Sequence, residues 1–324
     1  MSAKHYLVTG GSGFLGSALV RALLAAGHRV RVLDNHFRGS AGRLAELEGE
    51  LELVEADIRD PGSVTAACRG VDCVCHLAYI NGTEFFYSQP ELVLEVAVKG
   101  MMNVLDGCRA AGVGELVLAS SSEVYQTPPR VPTDEKVPLS VPDVHNPRYS
   151  YGGGKIISEL LALNYGRKYF QRVVVFRPHN VYGPDMGREH VIPQFALRMR
   201  ELFEKQPSGV VDFPLQGDGS QRRAFIYIED FTAGLMLVLE KGEHLGIYHI
   251  GTSQEVSMAQ LARLCAAWFG REIRLIPGPL PPGGTPRRCP DVTRLQSLGF
   301  SPRVSLEDGL DTTLTWYVRN ADAA

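Results

Sequence analysis

The stretch Tyr6-Leu7-Val8-Thr9-Gly10-Gly11-Ser12-Gly13-Phe14-Leu15-Gly16 joins a short apolar run to a glycine-rich turn and the start of a helical pattern. The run reads as a buried strand, and the apolar periodicity from about Leu15 to Ala26 reads as a helix. Arg29 to Leu33 then gives a second strand, completing a β-α-β unit. Gly10, Gly13 and Gly16 fall between strand and helix. Without side chains they permit a tight turn, backbone approach to a pyrophosphate and close helix packing. Asp34 follows the second strand about twenty residues on, where a carboxylate accepts both ribose hydroxyls of NAD. A 2'-phosphate there would meet like charge, so NAD is preferred over NADP, with Arg38 a partial counter-ion. Asp57 and Ile58, after a third strand, suit contact with adenine.

Outward from this unit the alternation continues through Leu51 to Glu55, Val71 to Leu77, a long helical stretch at Leu92 to Ala111, Glu115 to Ser120 and Val173 to Phe176. Strands separated by helix-length segments predict an α/β fold, a Rossmann-type parallel sheet covered on both faces. The proline-rich residues 126–149 read as a loop. Beyond Asn180, turns at Gly183-Pro184, Gly217 to Ser220 and the 277–290 stretch predict a smaller C-terminal α/β lobe. The expected division is residues 1–180 for the NAD-binding domain and 181–227 plus 251–324 for the substrate lobe. Residues 228–250 are expected to return to the first domain. A site between the lobes follows.

The 324 residues are enough for a core without crosslinks or metals. With 33 Lys and Arg against 36 Asp and Glu, the formal net charge of -3 offers no global field for nucleic acid. Arg222-Arg223 and Arg287-Arg288 are local basic pairs without an aromatic-basic platform. No apolar run is long enough to span a bilayer and no signal-peptide layout precedes Tyr6, so a cytoplasmic protein without membrane or nucleic-acid partners is expected. The six cysteines form no CxxC pair. Cys73, Cys75 and His76 alternate on a strand and read as core rather than as metal ligands, so no metal is expected.

Tyr151 and Lys155 lie four residues apart, on one face of a helix. An ammonium beside a phenol favours phenolate, which can take a proton from an alcohol while hydride leaves its carbon. Ser120-Ser121-Ser122-Glu123 follows a predicted strand.

The chain resembles the extended short-chain dehydrogenase/reductase family, in its NAD-dependent nucleotide-sugar epimerase, dehydratase and decarboxylase branch. The resemblance runs through Val8 to Gly16, Leu33-Asp34-Asn35, His76-Leu77-Ala78, Ser120 to Tyr125, Tyr151 to Lys155, Arg177 to Pro184 and Arg223 to Asp230. It implies catalytic roles for Ser121, Tyr151 and Lys155, with Glu123 a further candidate. It also implies cofactor contacts at Gly10, Gly13, Phe14, Leu15, Gly16, Asp34, Asn35, Asp57, Ile58, Leu77, Ala78, Tyr151, Lys155 and Pro178. His179 replaces the more usual aromatic and receives no acid-base role. For a nucleoside-diphosphate sugar the resemblance implies Asn180, Arg223 and Arg288 at the diphosphate, His190 nearby, Phe213 and Leu215 in the base region, and Ser121, Ser122 and Glu123 at the sugar.

Two departures stand out. Gly152-Gly153-Gly154 costs a helix roughly 0.8–1 kcal/mol per glycine against alanine, which implies close packing, against cofactor or substrate on this reading. Ala97 stands where relatives often have asparagine. The implied reaction is 4-epimerisation through a transient 4-keto sugar. Decarboxylation or dehydration using Glu123 is the alternative, and a catalytically silent NAD-sensing protein a more distant one. Ser122 departs from the paired acids of the dehydratases. A homodimer is expected through the helices carrying Ile156, Ile157, Leu160 and Leu161 and Val93, Val96, Met101 and Val104.

Overall fold

The computed structural model describes residues 3–279 and 284–321; residues 280–283 of the proline-rich 277–290 stretch lie outside it. Seven parallel strands form the main sheet: β1 (His5–Thr9), β2 (Arg29–Asp34), β3 (Glu52–Glu55), β4 (Cys73–His76), β5 (Glu115–Ala119), β6 (Arg172–Pro178) and β7 (Gly246–Ile250), in the order β7-β6-β5-β4-β1-β2-β3. β1 and β4–β6 are almost wholly buried, as their near-continuous apolar sequence requires when helices cover both faces. The chain runs outward from β1 to β3, then crosses back to place β4 on the other side of β1. That reversal opens a crevice at the carboxyl ends of β1 and β4, where open α/β sheets bind ligands.

The first helix, Phe14–Ala25, follows the glycine turn directly. Gly10 has φ +73°, and a Cβ there would lie 2.6 Å from the Ala78 backbone nitrogen, so only glycine fits. Ile228–Lys241 packs on this first helix, and β7 pairs in parallel with β6 at the sheet edge. Cys73 and Cys75 are buried with Tyr6 and Val8 in one apolar cluster, while His76 Nδ1 shares a 2.7 Å hydrogen bond with Thr9 Oγ1.

The second lobe has its own core. Val211–Gln216 pairs with Ile273–Gly278, and the helices Val191–Lys205, Met258–Trp268 and Leu306–Arg319 close over them around Phe195, Phe213, Leu261 and Leu314. Strand Arg222–Ala224 pairs with both Glu255–Ser257 and Arg287–Arg288, bringing the two basic pairs side by side.

The long helical run around residues 90–111 is continuous but contains a π turn at Val96–Gly100. The helix Tyr149–Tyr169 lies against it. Here the triple glycine finds its reason, and it differs from the sequence expectation. A Cβ on Gly154 would lie 2.7 Å from the Ala97 Cβ and run into the Tyr79 hydroxyl; one on Gly152 would meet the Gln126 amide. Gly152 and Gly154 let protein approach the helix, whereas a Cβ on Gly153 would meet only Val141 at 3.5 Å, an ordinary contact. Ala97, small for the same reason, offers its carbonyl to Ser158 Oγ at 3.3 Å.

Candidate active site

A cavity of about 770 Å³ runs along the carboxyl ends of the strands and reaches the second lobe. Strand order sets the order of groups along it. Asp57 and Ile58 follow β3, and Asp34 and Asn35 close β2. The glycine turn follows β1, Leu77 and Ala78 follow β4, Ser121 to Glu123 follow β5, and Pro178 ends β6. All of these, with Phe14, Leu15, Tyr151 and Lys155, line the same wall.

The Asp34 carboxylate is buried and accepts from the amides of Ser12 at 2.9 Å and His36 at 2.8 Å, which fixes it against the glycine turn. A Cβ on Gly16 would collide with the Gly10 carbonyl and lie 2.8 Å from Gly11 Cα. Arg38, the sequence's counter-ion candidate for a 2'-phosphate, is committed elsewhere. It pairs with Glu189 and lies over Phe85, 5.0 Å from the ring centre. Arg43 is likewise bound to Asp185. Asp57 is held below the usual carboxylate range chiefly by the hydrogen bond from Arg59. Asn35 donates to it at 2.9 Å. A glycine cradle beside a carboxylate not paired with a cation, with Arg38 and Arg43 committed to Glu189 and Asp185, fits NAD.

At the other end Tyr151 is buried, stacked on Phe86 at 4.8 Å and edge-on to Tyr79 at 5.1 Å. Burial pushes its phenol up to about 12; a hydrogen bond with Ser121 and the charge of Arg288 act downward, Glu123 upward. Ser121 caps the turn Ser122–Tyr125, its Oγ accepting from the Glu123 amide at 3.1 Å. The spacing of Tyr151 and Lys155 does put both at the cavity, but the ammonium does not bond the phenol. Lys155 Nζ donates to the Ala119 carbonyl at 2.8 Å and sits 3.7 Å from the Tyr79 ring centre. Burial lowers it to about 7, with Glu159 opposing. An aromatic face and a strand-end carbonyl hold the long side chain, and its ammonium lies 5.9 Å from the Tyr151 ring centre, acting on the phenol through space rather than by a hydrogen bond.

Glu123 is bound across the cavity. Arg288 Nη1 donates to its Oε1 at 2.6 Å. Burial alone would raise the Glu123 carboxyl, but Arg288, Arg148 and Arg223 together hold it below its ordinary value. Ser122 is buried and lines the cavity.

The substrate candidates separate into two groups. Asn180, His190 and Arg288 line the cavity. Asn180, at φ +43°, donates to the Ala224 carbonyl at 2.8 Å. Burial, then the charge of Arg38, lowers His190 to about 4, so its ring is neutral at pH 7. Phe213, Leu215 and Arg223 are not on the cavity wall. Phe213 and Leu215 point into the second-lobe core, Phe213 edge-on to Phe195 at 5.2 Å. The strand alternates buried and exposed from Val211 to Gln216, so Val211, Phe213 and Leu215 share the inner face. Arg223 donates to the Thr285 carbonyl at 2.6 Å and the Arg222 carbonyl at 2.8 Å. His179 is turned inward against His249 at 4.7 Å, both its ring nitrogens without a partner.

Sequence reasoning missed Tyr79, Phe86 and Arg148, all at the cavity. Tyr79 had a signal, since it follows directly on the strand end that supplies Leu77 and Ala78. Phe86 had none.

A Rossmann-type crevice holding a glycine turn, a buried strand-end carboxylate and a Ser-Tyr-Lys set fits a dinucleotide-dependent enzyme. The model of the NAD dependent epimerase/dehydratase family matches residues 6–251. The chain belongs to that family, in the extended short-chain dehydrogenase/reductase branch that modifies nucleotide-sugars, and NAD is its cofactor. It is 30% identical to the UDP-N-acetyl-alpha-D-glucosaminuronate decarboxylase of Bacillus cytotoxicus, covering 97% of this chain and 98% of that protein. A dTDP-glucose 4,6-dehydratase from Streptomyces venezuelae, solved with NAD bound, matches with a TM-score of 0.86 at 32% identity, covering 98% of each chain. A Thermus thermophilus UDP-glucose 4-epimerase in complex with NAD gives a TM-score of 0.83 at 29% identity, covering 97% of this chain and 99% of that one.

Proposed function

We propose that the protein is an NAD-dependent nucleotide-sugar 4-epimerase. Tyr151 takes the proton of the sugar's 4-hydroxyl, and Ser121, hydrogen-bonded to Tyr151, holds the same oxygen. NAD, held in the crevice, would supply the acceptor and then the donor of the C4 hydride, so that the 4-keto sugar could be reduced on its opposite face. Asp34 and the Gly10–Gly16 turn hold the adenosine half of the cofactor, and Lys155, anchored on Ala119, reaches the nicotinamide ribose. Asn180, His190 and Arg288 serve the diphosphate.

The observation that carries this reading is the locked state of Glu123. An ionised carboxylate has no proton to give a departing hydroxyl, and one tied to Arg288 at 2.6 Å is a weakened base; Ser122 stands where the dehydratases carry a second acid. Reversible hydride transfer needs neither acid. Glu123→Gln is therefore expected to leave C4 inversion within about threefold of wild type, well short of the 10²–10⁴-fold that a lost acid-base group costs. Product NMR on UDP-, dTDP-, GDP- and CDP-sugars checks it; water loss or carbon dioxide release that disappears with Glu123 would replace epimerisation by elimination or decarboxylation. Decarboxylation of a uronic acid is the second reading, supported by the arginines around Glu123 and by the decarboxylase relative.

The reading extends to a homodimer. Val93, Val96, Met101 and Val104 are buried in the subunit's own core, whereas Leu94, Ile157 and Leu160 stand 39%, 40% and 56% exposed on the two adjacent helices. Apolar side chains on neighbouring helices suit a four-helix contact with a second copy. Sedimentation at micromolar concentration is expected to return twice the 35.5 kDa chain mass, and Leu160→Glu to shift the protein to monomer; a wild-type monomer would remove the proposal.

A further inference from the structure

We propose that Tyr79 is a positioning residue for Lys155: the face of its ring holds the lysine side chain as a charged ammonium at the end of β5. The proposal is independent of which nucleotide-sugar reaction follows, because it concerns the state of Lys155 before any substrate reacts.

An ammonium carries three donors. Lys155 is only 3% exposed, and among the described residues its Nζ donates one hydrogen bond, to the Ala119 carbonyl at 2.8 Å. No carboxylate among those residues forms an ion pair with it. Glu159, one turn further along the same helix, has both oxygens on Arg177 and accepts from the Ser120 hydroxyl as well. A buried charge without a counter-ion is costly unless something else favours it. The Tyr79 ring does so: Nζ lies 3.7 Å from its centre, well inside the roughly 6 Å over which a cation feels the negative face of an aromatic ring. The Tyr151 ring centre is 5.9 Å away. A neutral amine gains little from that face, so the contact favours the charged form.

Tyr79 is itself fixed in place. It follows directly on Leu77 and Ala78 at the end of β4, stands edge-on to Tyr151 at 5.1 Å and donates from its hydroxyl to the Tyr151 carbonyl at 3.4 Å. Room for that hydroxyl comes from Gly154, the residue before Lys155, where a Cβ would run into it. A glycine inside a helix is unfavourable, and here it is matched to the tyrosine opposite. Burial, then the neighbouring Tyr151, pushes the Tyr79 phenol up, so it stays neutral and offers Lys155 its ring alone.

Few other groups compete for control of the lysine. Its own helix contributes Tyr151 and Glu159, the end of β4 contributes His76, and β5 contributes the Ala119 carbonyl. His76 is neutral at pH 7, because burial, then the charge of Lys155, lowers it to about 3. Burial also lowers Lys155, and Glu159 opposes this while shared with Arg177. The Tyr79 ring is the contact that can be altered without touching that ion pair.

The test follows Lys155 by NMR in NAD-loaded protein carrying lysine labelled with carbon-13 at Cε; its signal is the one absent from Lys155→Arg. A ring that favours the charged form raises the titration midpoint, so removing it moves the midpoint down. Tyr79→Leu is expected to lower it by about one pH unit, a tenfold weaker hold on the proton. Tyr79→Phe keeps the ring and should stay within about 0.3 unit of wild type. The decisive comparison places 3,4,5-trifluorophenylalanine at the same position, which keeps the shape of phenylalanine but withdraws charge from the ring face. Its midpoint should fall about half a unit or more below that of Tyr79→Phe. A fluorinated protein whose midpoint matches or exceeds that of Tyr79→Phe would overturn the proposal and leave Tyr79 a packing residue. Bound NAD and melting temperature, measured on each protein, establish that the series is folded; should Tyr79→Leu not fold, the two aromatic variants still decide. Because the readout is the lysine itself, absence of C4 inversion would discard the epimerase reading without affecting this result, and an unshifted midpoint would discard the role of Tyr79 without affecting that reading.

Discussion

Tyr151→Phe is expected to reduce turnover by about 10²–10⁴-fold while the protein stays folded and keeps NAD. The substitution removes one hydroxyl from a side chain whose ring contacts survive. Stacking on Phe86 and the edge contact with Tyr79 do not involve the oxygen. The stability cost is that of one hydrogen bond to Ser121, about 1 kcal/mol. The chemical cost is larger because, among the described residues, the other titratable groups at that end are committed to other partners. Lys155 is turned to the Ala119 carbonyl, Glu123 is tied to Arg288, and His190 lies in a segment associated with Glu189 and Arg38. Melting temperature and bound NAD measured beside product formation separate a lost proton acceptor from a damaged fold. Turnover within tenfold of wild type would exclude Tyr151 as the reacting group.

The rise of the Tyr151 phenol to about 12 makes this dependence informative. Burial outweighs the help from Ser121 and Arg288, which favours the protonated hydroxyl at neutral pH. Lys155, lowered to about 7, is only partly charged there and bonds the Ala119 carbonyl, 5.9 Å from the Tyr151 ring centre.

What the sequence disclosed and what it hid follow from the range of the forces involved. The β-α-β unit was legible because each signal is local: an apolar run, glycines where φ is positive or a Cβ has no room, and Asp34 at a strand end. The gathering of Asp34, Asp57, Ala78, Ser121 and Pro178 on one wall follows from strand order in a parallel sheet. The inward direction of Phe213 and Leu215 was also present, in the alternation of Val211-Asp212-Phe213-Pro214-Leu215-Gln216, but lost beside a family-level expectation about that region. The Glu123–Arg288 pair spans 165 positions, and no local pattern announces it. The direction of Lys155 was hidden for a similar reason: Tyr79 and Ala119, which capture it, come from two other strand ends.

Glu159→Gln is expected to destabilise the fold by about 3–5 kcal/mol, the cost of leaving a buried charge without its partner. Glu159 and Arg177 are each about 2% exposed. Arg177 donates from Nε to Oε1 at 2.8 Å and from Nη2 to Oε2 at 2.6 Å, a two-pronged pair. The Ser120 hydroxyl also donates to this carboxylate, and Arg177 Nη1 continues to the Tyr125 hydroxyl, which meets His249 Nε2 at 2.7 Å. The chain of contacts ties β5, β6, β7 and the helix bearing Tyr151 together immediately behind Ser121. A glutamine keeps the shape but cannot neutralise Arg177, and its amide nitrogen would face a donor. The loss should therefore appear in denaturant midpoint and melting temperature. It should also appear in turnover, because Ser121 and Tyr151 are positioned from the two elements this pair joins. Replacing both partners, Glu159→Leu with Arg177→Met, removes the uncompensated charge and is expected to recover a large part of the stability. A single Glu159→Gln variant as stable as wild type would show that water reaches Arg177 and that the pair does not hold the site.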